Sequence, residues 1–145
     1  MIVNVRGERG GSASVEAAVL AVVFGLLIAF AIAGGRLVAA ETATDHAARS
    51  AARLASLQRD AATATAIARN AAALSLVEQG LHCVALDVAV DTNGFAQPFG
   101  TAASVNATVW CTISWADLGL PLAPGTRIVD STFASPLDQW RERIR

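Results

Sequence analysis

The sequence predicts an α+β protein with a long N-terminal helix, a second helix and a small antiparallel sheet of about three strands. Residues 17–35 carry no charge, residues 37–58 contain neither proline nor glycine, and two later segments alternate apolar with polar side chains. The first two patterns are typical of helices, and the third is typical of strands with one buried face. We therefore expect one membrane crossing followed by a folded region.

The length and composition limit the number of domains and the kinds of partner that we expect. At 145 residues the chain is long enough for one domain at most. Its formal net charge is −1, and all eleven basic residues are arginines, spread along the sequence apart from three near the C-terminus. A nucleic-acid-binding domain needs a clustered basic surface, so we expect no nucleic-acid partner.

The uncharged run is the candidate membrane segment. As a helix it would be about 28 Å long, close to the roughly 30 Å hydrocarbon core of a bilayer. Two arginines precede it and Arg36 follows it, which weakly favours a cytoplasmic N-terminus. The predicted division is a leader over residues 1–11, a transmembrane segment over 12–35 and an extracytoplasmic region over 36–145.

Two other interpretations of this run remain open. In the first, it is a secretory signal peptide, with Ala31-Ile32-Ala33 before Gly34 as a small-x-small cleavage site. Glu16 would then stand where the apolar region of the signal should begin. In the second, the run is an anchor that is never processed. Neither interpretation accounts for the glycine pair Gly10-Gly11 placed just before Glu16.

The helical pattern continues past the uncharged run to about Leu57, so the predicted helix is over 60 Å long. Glu41, Asp45, Arg49 and Arg53 recur every four residues and form one polar stripe, in which Asp45 and Arg49 are an attractive pair. This stripe is either a solvated helix face or a contact with a neighbouring subunit. The opposite face carries small and apolar residues, namely Ala40, Ala43, Ala47, Ala51 and Leu54.

A second helix is predicted from Ala61 to Gln79. Asp60 suits the N-cap position, and Gly80 suits the C-terminal stop. Because alanine-rich surfaces allow close packing, we expect this helix to form an antiparallel hairpin with the first one.

The character of the sequence changes after Gly80. Residues 82–91 and 104–115 alternate, and we expect them to form an antiparallel hairpin with a long loop. A third short strand is predicted over residues 127–133. The expected buried face of the first strand consists of His82, Val84, Leu86, Val88 and Val90. The expected buried face of the second consists of Val105, Ala107, Val109, Cys111, Ile113 and Trp115.

The two cysteines, Cys83 and Cys111, are expected to form a disulfide if this half of the chain is exported. The alternative is two buried free thiols. The alternation places Cys111 on an apolar face and Cys83 on a polar face, and cysteines on opposite faces of paired strands cannot bridge. A bulge, or a Cys83 that precedes the strand proper, would remove this conflict.

The sequence lacks the arrangements that carry catalysis. The histidines, His46 and His82, have no ligand spacing around them that indicates a metal site. There is neither a G-x-S-x-G elbow nor a phosphate-binding loop. We therefore expect no enzyme activity, no cofactor and no metal. Trp110, on the polar side of its strand, is the better candidate for a surface contact, while Trp115 is expected in the core.

The stretch Arg9-Gly10-Gly11-Ser12-Ala13-Ser14-Val15-Glu16-Ala17-Ala18 resembles the TadE-like family, small pseudopilins of tight-adherence (Flp-type) pilus systems. The resemblance extends through the apolar run and the segment Ala47-Ala48-Arg49-Ser50-Ala51-Ala52-Arg53. It covers roughly the first 55 residues. The chain is longer than the short major pilins of these systems, which favours a minor pilin.

The resemblance implies a precursor that a membrane prepilin peptidase cuts after Gly11. Ser12 then becomes the first residue and Glu16 the fifth, and the glutamate is expected to neutralise the terminal amine of a neighbouring subunit. The implied partners are the peptidase, other pilins, the pilus assembly machinery and membrane lipid. The alternative function is a single-pass, membrane-anchored extracytoplasmic binding module that never enters a filament.

Overall fold

The computed structural model describes residues 10–98, 100–120 and 123–140, with side chains from residue 14 onward. The predicted leader therefore lies largely outside the described residues. Within them, the predicted α+β class is confirmed, with two helices followed by a three-stranded sheet. The elements are α1 (Gly10–Ser56), α2 (Ala61–Glu78), β1 (Ala85–Asp91), a 3-10 turn (Asn93–Ala96), β2 (Ser104–Ser114) and β3 (Thr126–Pro136).

Helix α1 has 47 residues, which corresponds to a length of about 70 Å. Its first half, from residue 14 to residue 32, projects from the fold with its side chains exposed, except for a partly covered Ala29. Its second half packs against the rest of the protein through alanines, and Ala47 and Ala51 are fully buried. Leu54, near the end of α1, is 39% exposed although it shares a face with these alanines.

Helix α2 begins at Ala61 as the sequence predicts and ends at Glu78, one residue before the predicted Gln79, which is its C-cap. The Asp60 side chain accepts a hydrogen bond of 2.8 Å from the backbone N–H of Thr63, and Gly80 follows the helix with a φ of 70°. Glycine adopts this left-handed conformation without the steric cost that a side chain brings. The residues that bury α2 against α1 are mostly small: Ala64, Ala68, Ala72 and Leu76.

The sheet has the order β1-β2-β3 and is antiparallel throughout. Every second residue of the central strand faces the helices and is fully buried. The outward face of β2 is half exposed, with Trp110 near its middle. The structure thus has two layers, helices on sheet. The inward row of β2 is Val105, Ala107, Val109, Cys111 and Ile113, as predicted.

The outer strands differ from the prediction in length and burial. β1 begins at Ala85, not at residue 82, and of its predicted buried row only Val88 is buried while Leu86 is exposed. An edge strand has a neighbouring strand on one side only, so alternation there does not guarantee burial. β3 extends to Pro136, beyond the predicted Phe133, because it pairs with β2 along the whole of β2.

The cysteines form a disulfide. Cys83 and Cys111 are bonded with their Cα atoms 5.3 Å apart. Cys83 precedes β1, so it is not bound by the alternation of that strand and can reach the inward-facing Cys111. This position resolves the conflict between the two strand faces. The bond lies in a second core cluster of Ala40, Cys111, Ile113, Leu118 and Val129, at the end of the sheet nearest the apolar half of α1.

Candidate functional site

The exposed half of α1 is the most prominent surface of the molecule. Among the described residues, α1 is the one helix that is long and apolar enough to cross a membrane. No residue of its most apolar 18-residue stretch is buried. Phe24 and Phe30 are among its outward side chains, 61% and 67% exposed. A continuous apolar surface of this size indicates contact with lipid or with another protein.

The predicted processing residues lie at the start of this helix. Gly11 and Ser12 are in the first turn of α1, and Glu16 lies one turn further on with an exposed side chain. Among the described residues of α1, the nearest cation along the helix is Arg36, about 30 Å away. Within the described part of α1, no cation therefore lies close to the Glu16 carboxylate.

At the other end of the apolar run, α1 meets the folded region. Arg36 Nη1 donates a hydrogen bond of 2.9 Å to the backbone carbonyl of Asp117, in the loop after β2. Beside this contact is a cavity of about 300 Å³, whose polar lining includes Gln79 and His82. No group of three or more His, Cys, Asp or Glu side chains among the described residues is placed to hold a metal ion.

The polar stripe of α1 is partly an intramolecular contact. Arg49 Nη2 lies 2.8 Å from Asp45 Oδ2, as the i,i+4 spacing predicts. Ser131 of β3 donates a second hydrogen bond to Asp45, and the Arg49 guanidinium lies 5.1 Å from the ring centroid of Phe133. Sequence reasoning missed both contacts with β3, because nothing local to α1 signals a partner more than eighty residues away.

Trp110 lies on the outward face of the sheet, as its strand position predicts. Its cross-strand neighbours are Asp87 on β1 and Asp130 on β3, so two exposed carboxylates flank the indole. Trp115 is half buried at the edge of the second core cluster. It is not fully buried because β2 ends at Ser114 and the chain turns there.

Comparison with known families gives one match. Residues 11–53 match the sequence model of the family described as TadE-like protein. The comparisons with curated proteins and with solved structures returned no match. The matched segment begins at Gly11, includes Glu16 and the whole apolar run, and ends at Arg53, so α2 and the sheet lie outside it. For this helix, the resemblance to the TadE-like family is confirmed.

Proposed function

We propose that the protein is a minor pilin or pseudopilin that acts in assembly of a Flp/Tad-type surface pilus, after a prepilin peptidase cuts between Gly11 and Ser12. The TadE-like segment indicates a protein associated with a Tad pilus. The observation that carries the finer proposal is the continuity of α1. One helix runs from the glycine pair through an exposed apolar half into a folded head.

This arrangement suits a subunit that moves between two apolar surroundings. The exposed half of α1 suits the interior of a bilayer, and the same apolar surface suits packing among the apolar helices of neighbouring subunits. The folded head can remain unchanged in both states, because its core is formed by the second half of α1, by α2 and by the sheet. In this proposal the exposed half of α1 first contacts lipid and then contacts other pilins.

Glu16 has a defined part in this proposal. A carboxylate at the edge of an apolar helix is costly in low dielectric unless a cation pairs with it. The described part of α1 offers no cation near it. The new terminal amine of a neighbouring chain, created by cleavage before Ser12, is a cation of the required kind. Pairing with it would also set the register between subunits.

The mature N-terminus tests the proposal. We expect co-expression with a prepilin peptidase to yield a chain that begins at Ser12, as measured by intact mass and N-terminal sequencing. Replacement of Gly11 by leucine should block the cut, while the matched replacement of Gly10 should leave it in place. A chain that keeps Met1, or one that begins at Gly34, would contradict the proposal.

The second candidate function is a membrane-anchored binding module. The outward face of the sheet favours it, since Trp110 between Asp87 and Asp130 combines an aromatic ring with two carboxylates. Purified pili distinguish the two functions. A subunit should copurify with sheared filaments, whereas a binding module should remain with the membrane fraction.

A further inference from the structure

The loop of residues 115–120 lies against α1 around the C-terminal end of its apolar run. Arg36 donates a hydrogen bond to the Asp117 backbone carbonyl, and Gly119 lies beside α1 between Arg36 and Ile32, one helical turn towards the N-terminus. A Cβ atom placed on Gly119 would be 3.8 Å from Ile32 Cγ2 and 3.7 Å from Arg36 Nη1. Nearby Ala33 is 9% exposed, so the folded region reaches residues that belong to the uncharged run.

This loop is fixed in place. Leu118 is 3% exposed and packs in the second core cluster with Ala40 and Ile113. Two backbone hydrogen bonds of 3.0 Å, from Gly119 N–H to the Ala116 carbonyl and from Leu120 N–H to the Trp115 carbonyl, close the turn. The loop cannot swing away from α1 without exposing Leu118 to water.

The length of α1 distinguishes two placements of this loop, one in water and one in the membrane surface. From Glu16 to Ile32 the helix rises about 24 Å, less than the roughly 30 Å hydrocarbon core. If the loop stayed in water, Glu16 would lie about 6 Å inside the hydrocarbon. From Glu16 to Arg36 the rise is about 30 Å, so both charges reach the two interfaces if the loop enters the membrane surface.

The chemistry of the loop favours entry. Leu120 and Trp115 are both half exposed, and tryptophan is a residue type enriched at membrane interfaces. A loop that stayed in water would leave its apolar side chains wet and would also place the Glu16 carboxylate in hydrocarbon, so entry into the interface removes both costs. The exposed Asp117 carboxylate limits the depth to the headgroup level, where Arg36 also lies.

We propose that the 115–120 loop sits in the lipid headgroup interface on the extracytoplasmic side and sets how far α1 inserts into the membrane. The partner is the phospholipid surface itself. The inference rests on the proposed function only in requiring that α1 spans the bilayer. It adds a second membrane contact, which comes from a part of the chain outside the TadE-like segment.

Spin labels test this placement in the full chain. Both native cysteines are held in the disulfide, so a single introduced cysteine is the only thiol available for labelling. We would label Leu120→Cys and Ala116→Cys in the loop, with Val23→Cys as the hydrocarbon control and Ala66→Cys on α2 as the water control. The chain is reconstituted in vesicles of phosphatidylcholine and phosphatidylglycerol, and power-saturation EPR compares collision with oxygen and with a nickel chelate.

We expect the oxygen-to-nickel accessibility ratio at both loop positions to lie severalfold above that at Ala66→Cys and below that at Val23→Cys. Loop labels as accessible to nickel as Ala66→Cys, with Val23→Cys still in hydrocarbon, would overturn the loop placement and leave the membrane span intact. A water-accessible Val23→Cys label would overturn the span and the loop placement together. Leu120 is half buried, so a label there could disturb the loop locally. Similar accessibility ratios at Ala116→Cys and Leu120→Cys would show that the result does not come from such a disturbance.

Discussion

Ser131 Oγ lies 3.1 Å from Asp45 Oδ1 and donates a hydrogen bond that joins β3 to α1. The other oxygen of the same carboxylate is held by Arg49, whose Nε lies 2.9 Å away. Arg49 in turn lies over the ring of Phe133. The polar stripe of α1 therefore stabilises the packing of helix on sheet, in addition to facing solvent.

Asp45→Asn tests the contribution of this carboxylate to stability. Its pKa is lowered, first by the hydrogen bond from Arg49 and then by that from Ser131. A lowered folded-state pKa adds stability above the unfolded pKa of about 4, and this stability is lost as the pH falls through the folded value. The two side chains are 56% and 40% exposed, so we expect a loss below about 1 kcal/mol at neutral pH.

The measurement for Asp45→Asn is denaturant unfolding of the full chain in detergent micelles, as a function of pH. The variant should show a weaker loss of stability in the acid range than the parent chain. Ser131→Ala is the matched control, since it keeps the Arg49 pair and should retain most of the pH dependence. Identical acid dependence in the parent and Asp45→Asn would contradict the assignment.

Reduction of the disulfide should lower stability substantially. The bond between Cys83 and Cys111 closes a loop with a sequence separation of 28. In the chain-entropy account such a loop contributes about 3–4 kcal/mol by restricting the unfolded chain. Denaturant unfolding with and without reductant measures this difference. Because Cys111 is fully buried, reduction is a cleaner comparison than replacement by alanine, which also leaves a cavity.

Thiol labelling of exported protein supplies the control for that experiment. Without reductant, neither Cys83 nor Cys111 should react under denaturing conditions, and both should react after reduction. Two thiols that label freely without reductant would show that the bond is absent from the exported protein.

Glu16→Ala should leave processing largely intact and impair pilus assembly. The physical reason is that the carboxylate pairs with a neighbouring chain, while cleavage depends on the glycine before the cut. Glu78→Ala is the matched control, because Glu78 is an exposed carboxylate at the end of α2, outside both the apolar run and the polar stripe of α1. Filament yield and N-terminal mass are measured together. Normal piliation by Glu16→Ala would exclude the pairing role.

The contact between α1 and α2 depends on small side chains, and Ala68→Leu tests it. Ala68 is fully buried in the cluster that joins the two helices. The added methyl groups have no free volume to occupy, so we expect a loss of about 1–3 kcal/mol or more in unfolding free energy. Ala66→Leu, at an exposed position of the same helix, should change stability little. Equal effects of the two substitutions would contradict close packing at this interface.

Local signals predicted the helices more accurately than the strands. Asp60 and Gly80 act through the backbone of their own helix ends, so their roles are readable from neighbouring residues. The alternation around Leu86 was as regular as that around Val109, yet Leu86 is exposed and Val109 is buried. Burial of a strand face depends on whether the strand is central and on which element packs against it. The alternation of a sequence specifies neither the strand order nor the packing partner.

The sequence by itself determined the helices, the single apolar run, the glycine–glutamate spacing and the α+β class, because these follow from residue type and periodicity along one segment. Only the tertiary structure decided that Cys83 precedes β1 and reaches Cys111, that Ser131 joins Asp45, and that the loop at Gly119 meets α1 beside Ile32. Each of these contacts joins residues far apart in the chain. Their formation depends on how the helices and sheet pack together, which no local pattern encodes.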